Sequence, residues 1–417
     1  MTVLSPALAA LRDSRFRLLA SAQVAFVTGE QVLAVAVAVS VLERGGDAGA
    51  VGLVLAAKGL ASVSLLLVGG VWSDRLPRRR TLIVMLAVDA VAASVPALTV
   101  GHGGSVWLLA AVLFTVGAAE SFIRPAFNAI LKGALAEDQR VSGLALVNIA
   151  TRIGVIAGPV TGTILAAGGA VLPFVFAGAA FGGGAVMFRW VREPPWTPVR
   201  RRSLVSEAST GLAQAWSRPW LRALLVFSPI SLIFVIAPSQ VLLPVLSRDT
   251  FGSYAVYGIA LSLYGVGGLI GNAAMLTWRP RRPGAVAMWS MSLYALVPLA
   301  MLTAPPVWVL LACFVAAGFG VETYALLWNV ATYREIPDHL LGRTTSLIWL
   351  STFGVMPLGQ ALTGPLTDLL GDDAVLLVAA ALAAAVPPSL LLVDGMVQMR
   401  GSRPRTDRNV RHGDRNV

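Results

Sequence analysis

Charge is scarce in this sequence: 13% of the residues are Asp, Glu, Lys or Arg, against roughly 25% in an average soluble domain. The single cysteine, Cys313, rules out an intrachain disulfide and a cysteine-based metal cluster. Three histidines, His102, His339 and His412, share no metal-ligand spacing. There is no Ser-His-Asp arrangement, no glycine-rich phosphate loop with a lysine and no sizeable soluble domain, so enzyme chemistry and a resident metal or cofactor are not expected. What is abundant is apolar: 56% of the residues are hydrophobic and the mean hydropathy is +0.76. A water-soluble chain of 417 residues could not hide that much apolar surface, so lipid is the expected solvent. The 41 glycines agree, because small residues let membrane helices approach closely.

A membrane-crossing helix needs about 20 mainly apolar residues. That ruler gives an all-α membrane protein with twelve spans, at 16–42, 50–72, 81–100, 105–128, 141–166, 170–191, 221–246, 253–277, 284–303, 306–330, 344–369 and 374–393. A net charge of +11 raises the question of nucleic acid. Its arginines fall between apolar runs, so membrane orientation explains them and no nucleic-acid partner is expected. With the N-terminus inside, the outer connections hold only Arg44 and Arg248, which predicts cytoplasmic termini at both ends. Arg12, Arg15 and Arg17 directly precede an apolar run with no small-residue cleavage site, which reads as a first span kept in place.

The chain also reads as two matched halves. Glu120 and Glu322 lie 202 residues apart, as do Gly69 and Gly271, and Pro77-Arg78-Arg79 is echoed by Pro280-Arg281-Arg282. The expected organisation is a six-helix bundle over 1–193, a cytoplasmic linker over 194–217, a second six-helix bundle over 218–399 and a basic tail over 400–417. Parallel halves of this kind are a recurring transporter plan, with the binding site between them near the midplane.

Two motifs carry a family resemblance. The first is the run from Gly70 to Arg80, with Asp74-Arg75 followed by Arg78-Arg79-Arg80. It resembles the loop signature of the major facilitator superfamily, with Pro77 where the family usually has Gly. The second is Gly154, Gly158-Pro159 and Gly162-Thr163 in span five. It resembles the antiporter motif of drug exporters in that superfamily, with Thr163 replacing the final Gly. Thr28-Gly29-Glu30, Leu341-Gly342-Arg343 and Gly364-Pro365 further resemble a bacterial branch that exports macrolides and siderophores. The resemblance implies two pseudo-symmetric bundles that rock about a central cavity. It implies that Gly70, Asp74, Arg75, Arg78 and Arg79 gate the cycle, and that Gly154, Gly158, Pro159 and Gly162 shape span five. Residues 106–116 lack the arginine that many proton-coupled drug exporters carry there.

A charge at bilayer depth costs at least about 2.5–3.5 kcal/mol, so each one is a functional candidate. The embedded set is Glu30, Lys58, Asp89, Glu120, Arg124, Arg152 and Glu322. In the resembled fold, spans one, four, seven and ten line the cavity, and Glu30, Glu120 and Glu322 sit on three of them. Glu120 and Arg124 are four apart and can pair on one helical face, for support or for function. Lys58 is expected to pair with an acid on a neighbouring span, and Asp89 to support the Arg-rich loop. Glu30 and Glu322 have no in-helix partner and are the expected proton-coupling or substrate-binding carboxylates, with Arg152 as a further candidate. Tyr324 and Trp328 share a helix with Glu322 and are the expected aromatic pair of the substrate pocket.

The function expected is secondary active transport: proton-coupled efflux of amphipathic small molecules such as drugs, secondary metabolites or siderophores, by a monomer in the plasma membrane. The alternative is a proton-coupled importer of a small metabolite. A membrane enzyme or receptor without transport lacks support in the motifs.

Overall fold

The computed structural model describes residues 13–73, 76–99, 105–134, 140–191, 216–336, 348, 351 and 354–400. Among them there are helices and no strand. In chain order these are α1 (Ser14–Glu43), α2 (Ala48–Ser73), α3 (Arg78–Thr99), α4 (Val106–Ala134), α5 (Arg140–Gly168) and α6 (Leu172–Met187). They are followed by α7 (Pro219–Asp249), α8 (Ala255–Thr277), α9 (Pro283–Thr303), α10 (Val307–Glu335), α11 (Met356–Leu370) and α12 (Asp372–Leu392). Ten of them, all but α6 and α11, are long and apolar enough to cross a membrane. Their outward faces carry exposed Leu60, Val91, Leu98, Ile164, Leu276 and Leu377, a surface suited to acyl chains rather than water.

Local chemistry sets the helix ends. Asp47 caps α2 by accepting from the Ala50 amide at 2.8 Å, and Ser105 caps α4 by accepting from the Trp107 amide at 3.2 Å. Helix α6 is shorter than the expected 170–191: it stops at Met187, and the chain turns through Phe188–Trp190. Arg79 holds that turn, its Nε donating to the Phe188 carbonyl at 3.0 Å and its terminal nitrogen to the Arg189 carbonyl. Two helices change winding beside prolines. In α7, a π segment at Leu232–Ile236 precedes Pro238; in α9, a 3₁₀ segment at Leu293–Ala295 precedes Pro298. Each proline removes the amide that would close an α turn back onto those segments. Gly371 alone joins α11 to α12 at a φ of +83°, a conformation that glycine adopts without steric cost.

Within the first six helices, α1 packs on α5 and α6, α2 on α4, and α3 on α4 and α6. Within the last six, α10 packs on α8 and α9, and α9 on α12. Two seams join these sets: α2 against α11 and α5 against α8. Both are built from small residues. Gly49 meets Gly364, Gly52 meets the Gln360 carbonyl and Gly59 meets Pro357; across the other seam, Gly258 meets Pro159 and Thr163, and Gly265 meets Ile156. These contacts lie toward the end where α1 leads into α2, and there Arg248 of α7 also donates to the Leu42 carbonyl of α1 at 3.1 Å. Toward the opposite end, Leu144 and Ile149 of α5 and Leu276 of α8 are exposed.

Glycine also sets the spacing inside each half. A Cβ at Gly117 of α4 would strike the Lys58 carbonyl of α2, and one at Gly318 of α10 would strike the Tyr264 carbonyl of α8. Gly318→Ala therefore forces α8 and α10 apart and is expected to cost about 1–3 kcal/mol. Gly183→Ala on α6, where a Cβ meets nothing within 4 Å, is expected to leave stability unchanged or slightly raised. Thermal unfolding midpoints in detergent compare the two.

Candidate functional site

The embedded charges gather into two clusters. The first lies within the initial four helices. Lys58 of α2 donates to Glu30 of α1 and lies 3.6 Å from the Glu120 carboxylate of α4. Arg124, one turn along α4, donates to Glu120 and lies 3.9 Å from Glu30. Each carboxylate thus faces both cations. The α2–α4 seam places them: Ser62 donates to the Gly117 carbonyl and Ser121 to the Ser62 carbonyl, each at 3.0 Å, while Ser62 reaches Glu120 at 3.5 Å. Glu30 is 7% exposed and sealed on its own side by Phe26, Val27 and Leu33. Arg124, by contrast, has 58% of its side chain exposed and is the open edge of the cluster.

The second cluster bridges the two sets of helices. Arg152 of α5 grips Glu322 of α10 with both ends of its guanidinium, Nη1 to Oε1 at 2.7 Å and Nη2 to Oε2 at 2.6 Å. Two parallel charge-assisted bonds fix direction as well as energy. Asn272 of α8 donates to the same carboxylate at 3.2 Å, and Gly268, one turn earlier, leaves room for it: a Cβ there would sit 2.5 Å from the Glu322 Cγ. One carboxylate therefore ties α5 to both α8 and α10.

With this geometry in view, comparison with known proteins is decisive. Residues 19–359 match the Major Facilitator Superfamily. The chain belongs to that superfamily. It is similar to the multidrug efflux pump Tap of Mycobacterium tuberculosis (strain H37Rv) and of Mycobacterium bovis (strain BCG Pasteur 1173P2). In each case it is 28% identical over 365 residues, covering 84% of this chain and 86% of the relative. Among solved structures, it resembles the nucleoside transporter NupG, with a TM-score of 0.73, 12% identity and coverage of 91% of this chain and 98% of that one. It also resembles a bacterial homologue of the iron transporter ferroportin in its inward-facing state. There the TM-score is 0.67, with 17% identity and coverage of 90% and 98%. The protein is a multi-pass membrane transporter rather than an enzyme.

The helix-five motif of the transporter is a double-sided spacer. Gly154, Gly158 and Gly162 face Val27, Gln31 and Val35 of α1, one turn apart on each helix. Any side chain on those glycines would push α1 away and carry Glu30 with it. Pro159 and Thr163, from the same motif, meet Gly258 of α8 instead. Gln23 donates to Thr151 at 3.2 Å and extends the α1–α5 contact.

Of the gating-loop residues, Gly70 lies in α2, Arg78 opens α3 and Arg79 holds the turn after α6, while Asp74 and Arg75 lie outside the described residues. Asp89 does not reach the Arg-rich loop. It lies eleven residues into α3 from Arg78, about 16 Å along the helix, and neither of its oxygens has a hydrogen-bond partner among the described residues. Tyr324 and Trp328 are also apart from Glu322. Two residues along a helix turn the side chain by about 200°, and the pair packs with Phe227 of α7 in a buried apolar cluster, their rings 5.5 Å apart. Asn272 escaped the sequence reading because it is uncharged; its isolation in an apolar span was the available signal. A concavity of about 580 Å³ between α1 and α6, lined by Ala20, Val24, Thr28 and Phe176, holds none of the charged side chains.

Removing one member of such a buried network strands its partners. Lys58→Met is expected to cost about 3–5 kcal/mol, and adding Glu30→Gln to recover most of it. A double-mutant cycle on thermal unfolding in detergent measures this; additive losses would contradict the pairing.

Proposed function

We propose that the protein exports amphipathic small molecules in exchange for protons, by alternating access between two six-helix bundles over 1–193 and 218–399. It works as a monomer of twelve spans in the plasma membrane, with both termini cytoplasmic. The direction of transport rests on the similarity to the multidrug efflux pump Tap and on the helix-five motif. The observation that carries the coupling is the Arg152–Glu322 bridge. It spans the two sets of helices at the inner limit of the α5–α8 seam, one turn from Ile156.

The cycle follows from that position. By the arginine asymmetry, the glycine seams close the outer face, so this state opens toward the cytoplasm. While Glu322 is ionised it holds Arg152 and keeps α5 against α8. Cargo bound from the cytoplasm competes for Arg152 and lets the seam part. In the outward-open state the cargo leaves and a proton from outside binds the freed Glu322, and protonation favours that state. Release of the proton inward restores the bridge. Glu30, through Lys58 and Arg124, makes the first six helices respond to protonation as well, and Arg124 at the open edge offers the first polar contact to cargo.

In an efflux-deficient host, Glu322→Gln and Glu30→Gln are each expected to lower ΔpH-driven export of a dye or antibiotic by about tenfold or more, with protein levels unchanged. Undiminished coupled export in both variants would overturn the proposal, as would accumulation of the compound in cells that express the wild type.

A further inference from the structure

Charge counting within the spans leaves one acid over. Away from the helix ends, the apolar cores hold four carboxyls (Glu30, Asp89, Glu120 and Glu322) and three cations (Lys58, Arg124 and Arg152). Arg152 is committed to Glu322, and Lys58 and Arg124 to Glu30 and Glu120. Among the described residues, Asp89 is the acid of these four without a cation at ion-pair distance.

Its surroundings are unusual for an acid. Asp89 is 0% exposed, and both oxygens are buried with no hydrogen-bond partner among the described residues. The helices packed on α3 are α4 and α6. Helix α6 has no titratable residue; α4 contributes Glu120 and Arg124, and Lys132 in its last turn. Through α4, Asp89 neighbours the cluster of Glu30, Lys58 and Glu120. It therefore sits beside the first cluster as an uncommitted fifth member. A buried, unpaired carboxylate is among the most expensive groups a fold can hold, and a third negative charge beside Glu30 and Glu120 adds repulsion.

We propose that Asp89 is a proton-binding residue of this cluster, and that it and Glu30 take turns as the acid that carries a proton. In the observed state Lys58 neutralises Glu30 and the proton resides on Asp89. When Lys58, on its flexible four-carbon stem, leaves Glu30, the O–H bond of Asp89 breaks and one forms on Glu30. The sum of charges in the cluster is the same before and after, so the rearrangement needs no ion from the lipid. This rests on the proton-coupled reading above, and it adds a second proton site, away from the inter-half bridge.

Infrared spectroscopy of the purified transporter in lipid nanodiscs at neutral pH tests the site directly. A protonated-carboxyl C=O band is expected in the wild type, retained with a shifted frequency in Asp89→Glu and lost in the near-isosteric Asp89→Asn. An identical band in wild type and Asp89→Asn would overturn the proposal, whatever the transport result. In proteoliposomes, Asp89→Asn is expected to lower ΔpH-driven transport about tenfold while leaving downhill substrate exchange intact. Unchanged ΔpH-driven transport in Asp89→Asn also overturns the role of Asp89. A wild type that ignores ΔpH would sink the coupled reading instead, with the infrared band still reporting on Asp89.

Discussion

An ion inside a bilayer must find an opposite charge, and the architecture of this transporter follows from how few such pairings it makes. Glu30, Lys58, Glu120 and Arg124 satisfy one another within the first four helices. Glu322 has to reach across to Arg152, 170 residues away in sequence. A pair held within one rigid half supports that half. A pair that spans both halves is made in one state and broken in another, so its charge state is tied to conformation. The glycine seams make this possible: they bring the helix backbones close enough at one end for Arg152 to reach Glu322 across the two halves.

The same constraint explains the helix-five motif. Its glycines keep α1 at a fixed distance, and its proline and threonine touch α8. Helix α5 is thus bonded to its own half along one face and to the opposite half along another. Arg152 lies one turn before the motif begins to contact α8 at Ile156, where a small tilt of α5 is felt as the making or loss of two hydrogen bonds. A rigid spacer with a charged tip is a workable lever.

Much of this could be read from the chain. The apolar runs marked most helices within a few residues, because a 30 Å hydrocarbon layer leaves little freedom in length. Most of the first part of the span expected at 344–369 lies outside the described residues. Glu120 with Arg124 was visible as a pair four apart. The bridge between Arg152 and Glu322 was not, since no local spacing links residues on helices from opposite halves. Helix α6 came out shorter than its apolar run, because a turn held by Arg79, more than a hundred residues earlier, ends it. Tyr324 and Trp328 were legible in principle: their offsets from Glu322 place them across the helix from it, and sharing a helix is not sharing a face. Asp89 looked like loop support because its depth in α3 was not weighed against the reach of an arginine.

The central claim is that ionised Glu322 holds the two halves in the observed state. Double electron–electron resonance between spin labels at positions 144 of α5 and 276 of α8, both exposed, tests it most directly in nanodiscs. At alkaline pH the account predicts a single long distance, with the ends of α5 and α8 apart. Acidification should shift the population to a shorter distance, and Glu322→Gln should hold that shorter population at every pH. A distance distribution that responds neither to pH nor to Glu322→Gln would contradict it.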